Sequence, residues 1–141
     1  MPRDVIKVDE LPKPLGTYCY GTRVEGGTQL FISGTLALDE TGKVPQDLRG
    51  DMKGQMRKIV ENIKITLKAA GATLEDVNYL RIFVTDMKAF RETLQWRYDA
   101  YPELWGHTIG DQEAVASTLI QVVSLAREEY MVEMDAIAHI K

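Results

Sequence analysis

Two periods of hydrophobic and polar residues alternate along this chain. Between Asp51 and Ala70 the apolar residues Met52, Met56, Ile59, Ile63, Leu67 and Ala70 recur every three or four positions, and Gly71 stands where a helix C-cap belongs. A long helix is expected there. From Met131 to Ile140 the period is two: Val132, Met134, Ala136, Ala138 and Ile140 are apolar, and Glu133, Asp135 and His139 fall between them. That pattern predicts a strand with one face on the helices and carboxylates on the other. Val77 to Thr85, rich in Val, Ile, Tyr and Phe, follows a turn at Thr73–Asp76 and reads as a strand buried on both sides. Asp86 is placed to cap a second helix whose apolar side is Phe90, Leu94, Tyr98 and Tyr101, closed by Pro102. Gly26-Gly27 between Tyr18–Val24 and Gln29–Ser33 predicts a hairpin. A loop of about a dozen residues carries Trp105, Gly106, His107, Gly110 and Asp111, as a lid, a packed anchor or a subunit contact, before a strand over Ala114–Val123.

The order strands, long helix, strand, helix, strands implies an α+β fold with a mixed β-sheet and two helices on one face. At 141 residues and 45% hydrophobic content the chain suits one domain, residues 1–141. The uncovered sheet face, with Leu119, Val123 and Ile137 beside Glu133 and Asp135, calls for a second subunit. Lys and Arg number 17 against 21 Asp and Glu, a net charge of −4 without a basic patch, which argues against nucleic acid as partner. A single cysteine, Cys19, makes no intrachain disulfide and has no His or second Cys near it in sequence to activate it. The first residues lack a signal-peptide core, and no apolar run approaches the ~20 residues of a membrane span. A cytoplasmic protein is expected, with no membrane partner. His107 and His139 lack metal-ligand spacing, so no metal is expected.

More specific are Gly16-Thr-Tyr18, Leu30-Phe-Ile-Ser33-Gly34-Thr35, Gln55 with Glu61-Asn62-Ile63, Ala69-Ala-Gly71-Ala-Thr-Leu-Glu-Asp-Val77, Phe83-Val-Thr-Asp86-Met87 and Val132-Glu133-Met134-Asp-Ala136-Ile-Ala138. In this order and spacing the chain, from about Pro14 to Ile140, resembles the YjgF/RidA (Rid, reactive intermediate deaminase) family. The resemblance implies a chorismate-mutase-like fold and a homotrimer with a central barrel, with small-molecule clefts between subunits. It also implies hydrolysis of enamines or imines to a carbonyl compound and ammonia, without metal or cofactor. Carried over residue by residue, Tyr18, Ser33 and Glu133 match the family cleft, and Gln95 is the nearest substitute for its helix asparagine. Glu133 is the matched residue able to act as acid and base on a water. Backbone N–H groups near Ser117 and Thr118 are candidates to bind an oxygen of the adduct.

Besides the helix asparagine, the chain departs from the deaminating members at a second and more important position. Val115-Ala116-Ser117-Thr118 stands where they carry a Pro-Ala-Arg-Ser/Thr-like sequence, with Ser117 at the arginine that grips a substrate carboxylate. Losing such a charged hydrogen bond costs on the order of 2–5 kcal/mol. An altered substrate is one expectation. Another is a replacement cation from Arg23, Arg81, Arg97 or His107. A trimer that binds a metabolite in the same cleft without turnover is the alternative function, and a ribonuclease or translation inhibitor fits the acidic composition worst.

Overall fold

The long helix forms where its apolar period demands. In the computed structural model, which describes residues 3–111 and 113–141, α1 spans Met52–Ala69, and the Asp51 side chain caps it by accepting from the Gly54 N–H. Gly71, at φ 79°, turns the chain away beyond its end. Met56, Ile59, Val60, Ile63 and Leu67 are fully buried, each contributing roughly 1.5–3 kcal/mol. Two polar side chains of α1 fasten it to the rest. Gln55 donates to the carbonyls of Leu48 and Glu129 and accepts from the Met131 N–H, all at 3.0 Å. Asn62 donates to the carbonyls of Leu36 and Leu38.

The strands are β1 (Asp4–Val5), β2 (Thr22–Arg23), β3 (Thr28–Thr35), β4 (Val77–Val84), β5 (Ala116–Gln121) and β6 (Val132–Ile140). Four of them form a mixed sheet in the order β3-β6-β4-β5, with β4 and β5 parallel and the other pairs antiparallel. Leu30 and Ile32 of β3, Leu80, Ile82 and Val84 of β4, and Val132, Met134, Ala136 and Ala138 of β6 face α1 in one core. This is the α+β arrangement of mixed sheet and one-sided helices that the sequence implied.

Three expectations are corrected. The hairpin across Gly26-Gly27 does not form: both glycines take positive φ, but β2 pairs with β1 while β3 pairs with β6. Nothing in the turn signal prevents the two flanking strands from taking different partners. Strand β4 is covered on one side only, because a single chain places helices on one face; Tyr79, Arg81 and Phe83 point to the open face. Leu119 is paired with Ile82 and therefore lies on the helix side, not on the open face. The alternation of β6 otherwise holds, although His139 is buried, with its Nε2 donating to the Gly26 carbonyl.

The second helix arrives in three pieces: α2 (Met87–Arg91), α3 (Leu94–Ala100) and α4 (Pro102–Trp105). Asp86 caps α2 by accepting from the Ala89 N–H at 3.1 Å, and Pro102 occupies the first turn of α4. Trp105 is completely buried and so serves as the packed anchor of the segment that follows. Asp111 closes the start of that loop by accepting from the backbone N–H groups of His107, Thr108 and Glu113. Although burial pushes its carboxyl pKa up, these three donors hold it below the usual value.

Candidate functional site

The break between α2 and α3 and the start of β5 frame a cleft on the helix side of the sheet. Cys19 forms a parallel bridge to Ala116, and its N–H donates to the Val115 carbonyl at 3.4 Å. This ties the segment carrying Tyr18 to the beginning of β5, where Ser117 pairs with Leu80 and so shares its helix-side face. A cavity of about 580 Å³ results, lined by Tyr18, Arg97, Ser117 and an apolar wall that includes Phe90, Leu94 and Leu119. The Tyr18 hydroxyl accepts from the Leu15 N–H at 3.3 Å. Tyr18 and Ser117, two residues expected at the site, come together here.

Arg97 is the chemical surprise of this cleft. It is only 3% exposed, with its guanidinium carbon 4.2 Å from the Phe90 ring centre and 5.7 Å from that of Trp105. Nε donates to the Thr93 hydroxyl at 3.0 Å and Nη1 to the Thr17 hydroxyl at 2.5 Å. Thr93 is fixed in turn by donating to the Phe90 carbonyl at 2.7 Å, across the break between the two helices. Among the described residues no carboxylate pairs with Arg97. Burial lowers its pKa from the ordinary arginine value to about 10, which leaves it a cation at neutral pH.

The other candidate cations are elsewhere. Arg81 lies on the open face in a two-pronged pair with Asp135, Nε to Oδ1 at 3.0 Å and Nη2 to Oδ2 at 2.8 Å. His107 Nδ1 is 2.7 Å from Glu113 in the loop after α4, and Arg23 is exposed on β2. His107, Asp111 and Glu113 bring potential ligand atoms within 4.8 Å of one another, but Asp111 is already engaged by the three backbone donors. Gln95 is exposed and donates to Asp99 at 3.1 Å along the surface of α3. Thr118 faces the opposite way from Ser117, its hydroxyl 2.6 Å from that of Tyr79 on the open face. Within one chain, neither Gln95 nor Thr118 lines the cleft.

Glu133 and Ser33 also belong to the open face. A register shift between Ile32 and Thr35 sets Gly34 against Glu133, whose carboxylate fills the space that a Cβ at Gly34 would occupy. The strand neighbour of Glu133 on the other side is Phe83. Ser33 lines a shallow depression of about 600 Å³ with Phe31, Tyr79, Arg81, Asp135 and Ile137. The residues expected at one site are therefore divided in a single chain. Tyr18 and Ser117 lie on the helix side, Ser33 and Glu133 on the open side.

A family model described as endoribonuclease L-PSP matches residues 9–140. The chain belongs to the YjgF/RidA family. A RutC family protein of Pyrococcus abyssi is 32% identical over 99% of this chain and 98% of its own length. The 3-aminoacrylate deaminase RutC of Acinetobacter baylyi is 30% identical over 99% of this chain and all of its own. Among solved structures, the Rid family protein YyfB of Yersinia pestis superimposes with a TM-score of 0.77 at 25% identity, covering 99% of this chain and 100% of that one. The mixed sheet with its one-sided helices is thus the fold of the family.

Sequence reasoning named Arg97 only as one of four candidate cations. A sharper signal was present. Arg97 sits seven residues after Phe90 and four after Thr93, on the same helical stripe as Leu94, Tyr98 and Tyr101. A charge on an otherwise apolar stripe is the informative exception. Thr17 and Ile109 carried no signal of their own, because they reach the cleft only through the path of the chain before Cys19 and after Trp105.

Proposed function

We propose that this protein is a Rid-type deaminase that hydrolyses a reactive imine or enamine to a carbonyl compound and ammonia. It works as a cytoplasmic homotrimer without a cofactor, and its substrate choice differs from that of relatives with a strand arginine. The observation that carries the reading is a pairing of opposite deficits among the described residues: a cleft holding a cation with no carboxylate partner, and a half-buried Glu133 with no cation partner on the face that lacks a cover. Packing open faces together around a three-fold axis covers Phe31, which is 74% exposed, and sets Glu133 of one subunit beside the cleft of the next. The relative named as a 3-aminoacrylate deaminase supports the reaction class.

The chemistry is balanced by one water. Protonation of an enamine at carbon, or of an imine at nitrogen, gives the iminium ion. Glu133 then accepts a proton from water as its oxygen attacks the iminium carbon, giving a neutral carbinolamine. Glu133 returns that proton to nitrogen, the C–N bond breaks with ammonia leaving, and the hydroxyl gives up its proton to Glu133 as the carbonyl forms. Tyr18 and Ser117 hold the ligand, and Ser33 borders Glu133 on β3. The endoribonuclease wording of the family model is not the better reading for a chain of net charge −4 whose open-face arginine is matched by Asp135.

The test is ammonia release from freshly generated imines. The native protein is expected to exceed the buffer rate, and Glu133→Gln to lose about 100-fold or more of that acceleration. No acceleration across imines with and without a carboxylate would overturn the reading in favour of a binding trimer.

A further inference from the structure

We infer that Arg97, from helix α3, is the anion-binding group of this cleft, and that the ligand is a small monocarboxylate with an apolar body. The inference rests on reading the helix-side cleft as the ligand site. It adds which residue selects the ligand and what that ligand is.

A buried guanidinium needs a counter-charge, and among the described residues of its own chain it meets the neutral hydroxyls of Thr17 and Thr93 and the ring faces of Phe90 and Trp105 and pairs with no carboxylate. These contacts fix the plane of the group and use two of its five N–H donors. Nη2 donates to none of the described residues, which leaves an edge for the two-pronged contact that a carboxylate makes best. The Ser117 hydroxyl lines the same cavity and supplies a further donor.

The rest of the lining narrows the ligand. Among the described residues of one chain it contains Arg91 as well as Arg97 but no Asp or Glu, so within the cleft itself the balance of charge favours an anion, and the one carboxylate expected from the next subunit is the acid/base group. Leu15, Ile82, Phe90, Leu94, Ile109 and Leu119 form the walls, which suits a hydrocarbon side chain and penalises a second carboxylate. A neutral imine beside one carboxylate, carried on a short alkyl chain, meets each of these conditions. The cation comes from the helix wall rather than from β5, so the ligand lies turned towards α3.

The experiment measures binding rather than turnover, so its failure and that of the deaminase reading are separable. Isothermal titration of the native protein with 4-methyl-2-oxopentanoate and with its methyl ester is expected to favour the acid by about 30-fold or more. Arg97→Lys keeps a positive charge but not the planar fork and is expected to lose about tenfold of that preference. Arg97→Met is expected to abolish the preference by bringing the affinity for the acid down to that for the ester, with near-UV circular dichroism confirming that each variant is folded. Equal binding of acid and ester by the native protein overturns the inference, as does binding of neither. It is also overturned if Arg97→Lys keeps the full preference while Arg91→Ala, at the exposed arginine of the same cleft, removes it.

Discussion

The two sides of the sheet are built from the same strands and solve the placement of charge in opposite ways. On the open side Arg81 has its partner Asp135 one strand away, locked in a two-pronged pair, and beside them Glu133 rests on Gly34 with no cation partner among the described residues. On the helix side Arg97 is held by hydroxyls and aromatic rings, with no acid in the cleft lining. An exposed pair such as Arg81 with Asp135 contributes little to stability. A buried lone charge has to be compensated by something outside the single chain. The contrast separates charges that belong to the fold from charges kept for a ligand or a neighbouring subunit.

Several substitutions break this comparison, and the largest effect is expected on the open side. Phe31→Asp adds a charge to an apolar side chain at the face proposed to meet its copies. It is expected to yield monomers in sedimentation and to cut ammonia release by about 100-fold or more, while the cleft keeps its preference for acid over ester. Simultaneous loss of that preference would mean that the cleft is not formed by one chain. Gly34→Ala is next: the new methyl group meets the Glu133 carboxylate, so turnover should fall by up to about 100-fold through misplacement of the acid/base group, with acid binding retained.

A smaller and graded effect is set by pH. The free Arg97 guanidinium titrates near 10, so affinity for the acid should be flat from neutrality and fall by about tenfold per unit above that value. Nearby titratable groups are Arg91, Tyr18 and Tyr98, and burial pushes the Tyr98 hydroxyl upward. The ester provides the control, since its binding does not involve this charge. Because the folded state gives up this proton before the unfolded chain does, its contribution to stability rises with pH from about 10 up to the ordinary arginine range. The smallest effect is expected from Gln95→Ala, whose side chain spends its hydrogen bond on Asp99 at the surface. It should change affinity for the acid by less than about twofold.

What was legible in the sequence follows from how local each signal is. The α1 period, its Asp51 and Gly71 ends, the Asp86 cap and the alternation of β6 are written in neighbouring residues, and the structure contains them all. Strand partners are not local. Gly26-Gly27 announces a turn but leaves β3 free to pair with β6, over 100 residues later. The same holds for the cleft: motif positions named Tyr18 and Ser117, but Thr17 becomes a partner of Arg97 only because the Cys19 bridge brings its segment to β5. Ser117 and Thr118 are adjacent in sequence yet lie on opposite faces, because a strand turns successive side chains apart.

The claim at the centre of this account is that Arg97 of one subunit and Glu133 of the next complete a single site. Mixing subunits of Arg97→Met with subunits of Glu133→Gln, each nearly inactive as a pure protein, tests it directly. If the halves come from different chains, random trimers from an equal mixture should recover about a quarter of native ammonia release, the chance that a site draws both intact halves. A mixture as inactive as its parents, with subunit exchange verified by mass spectrometry of the intact trimers, would contradict the account.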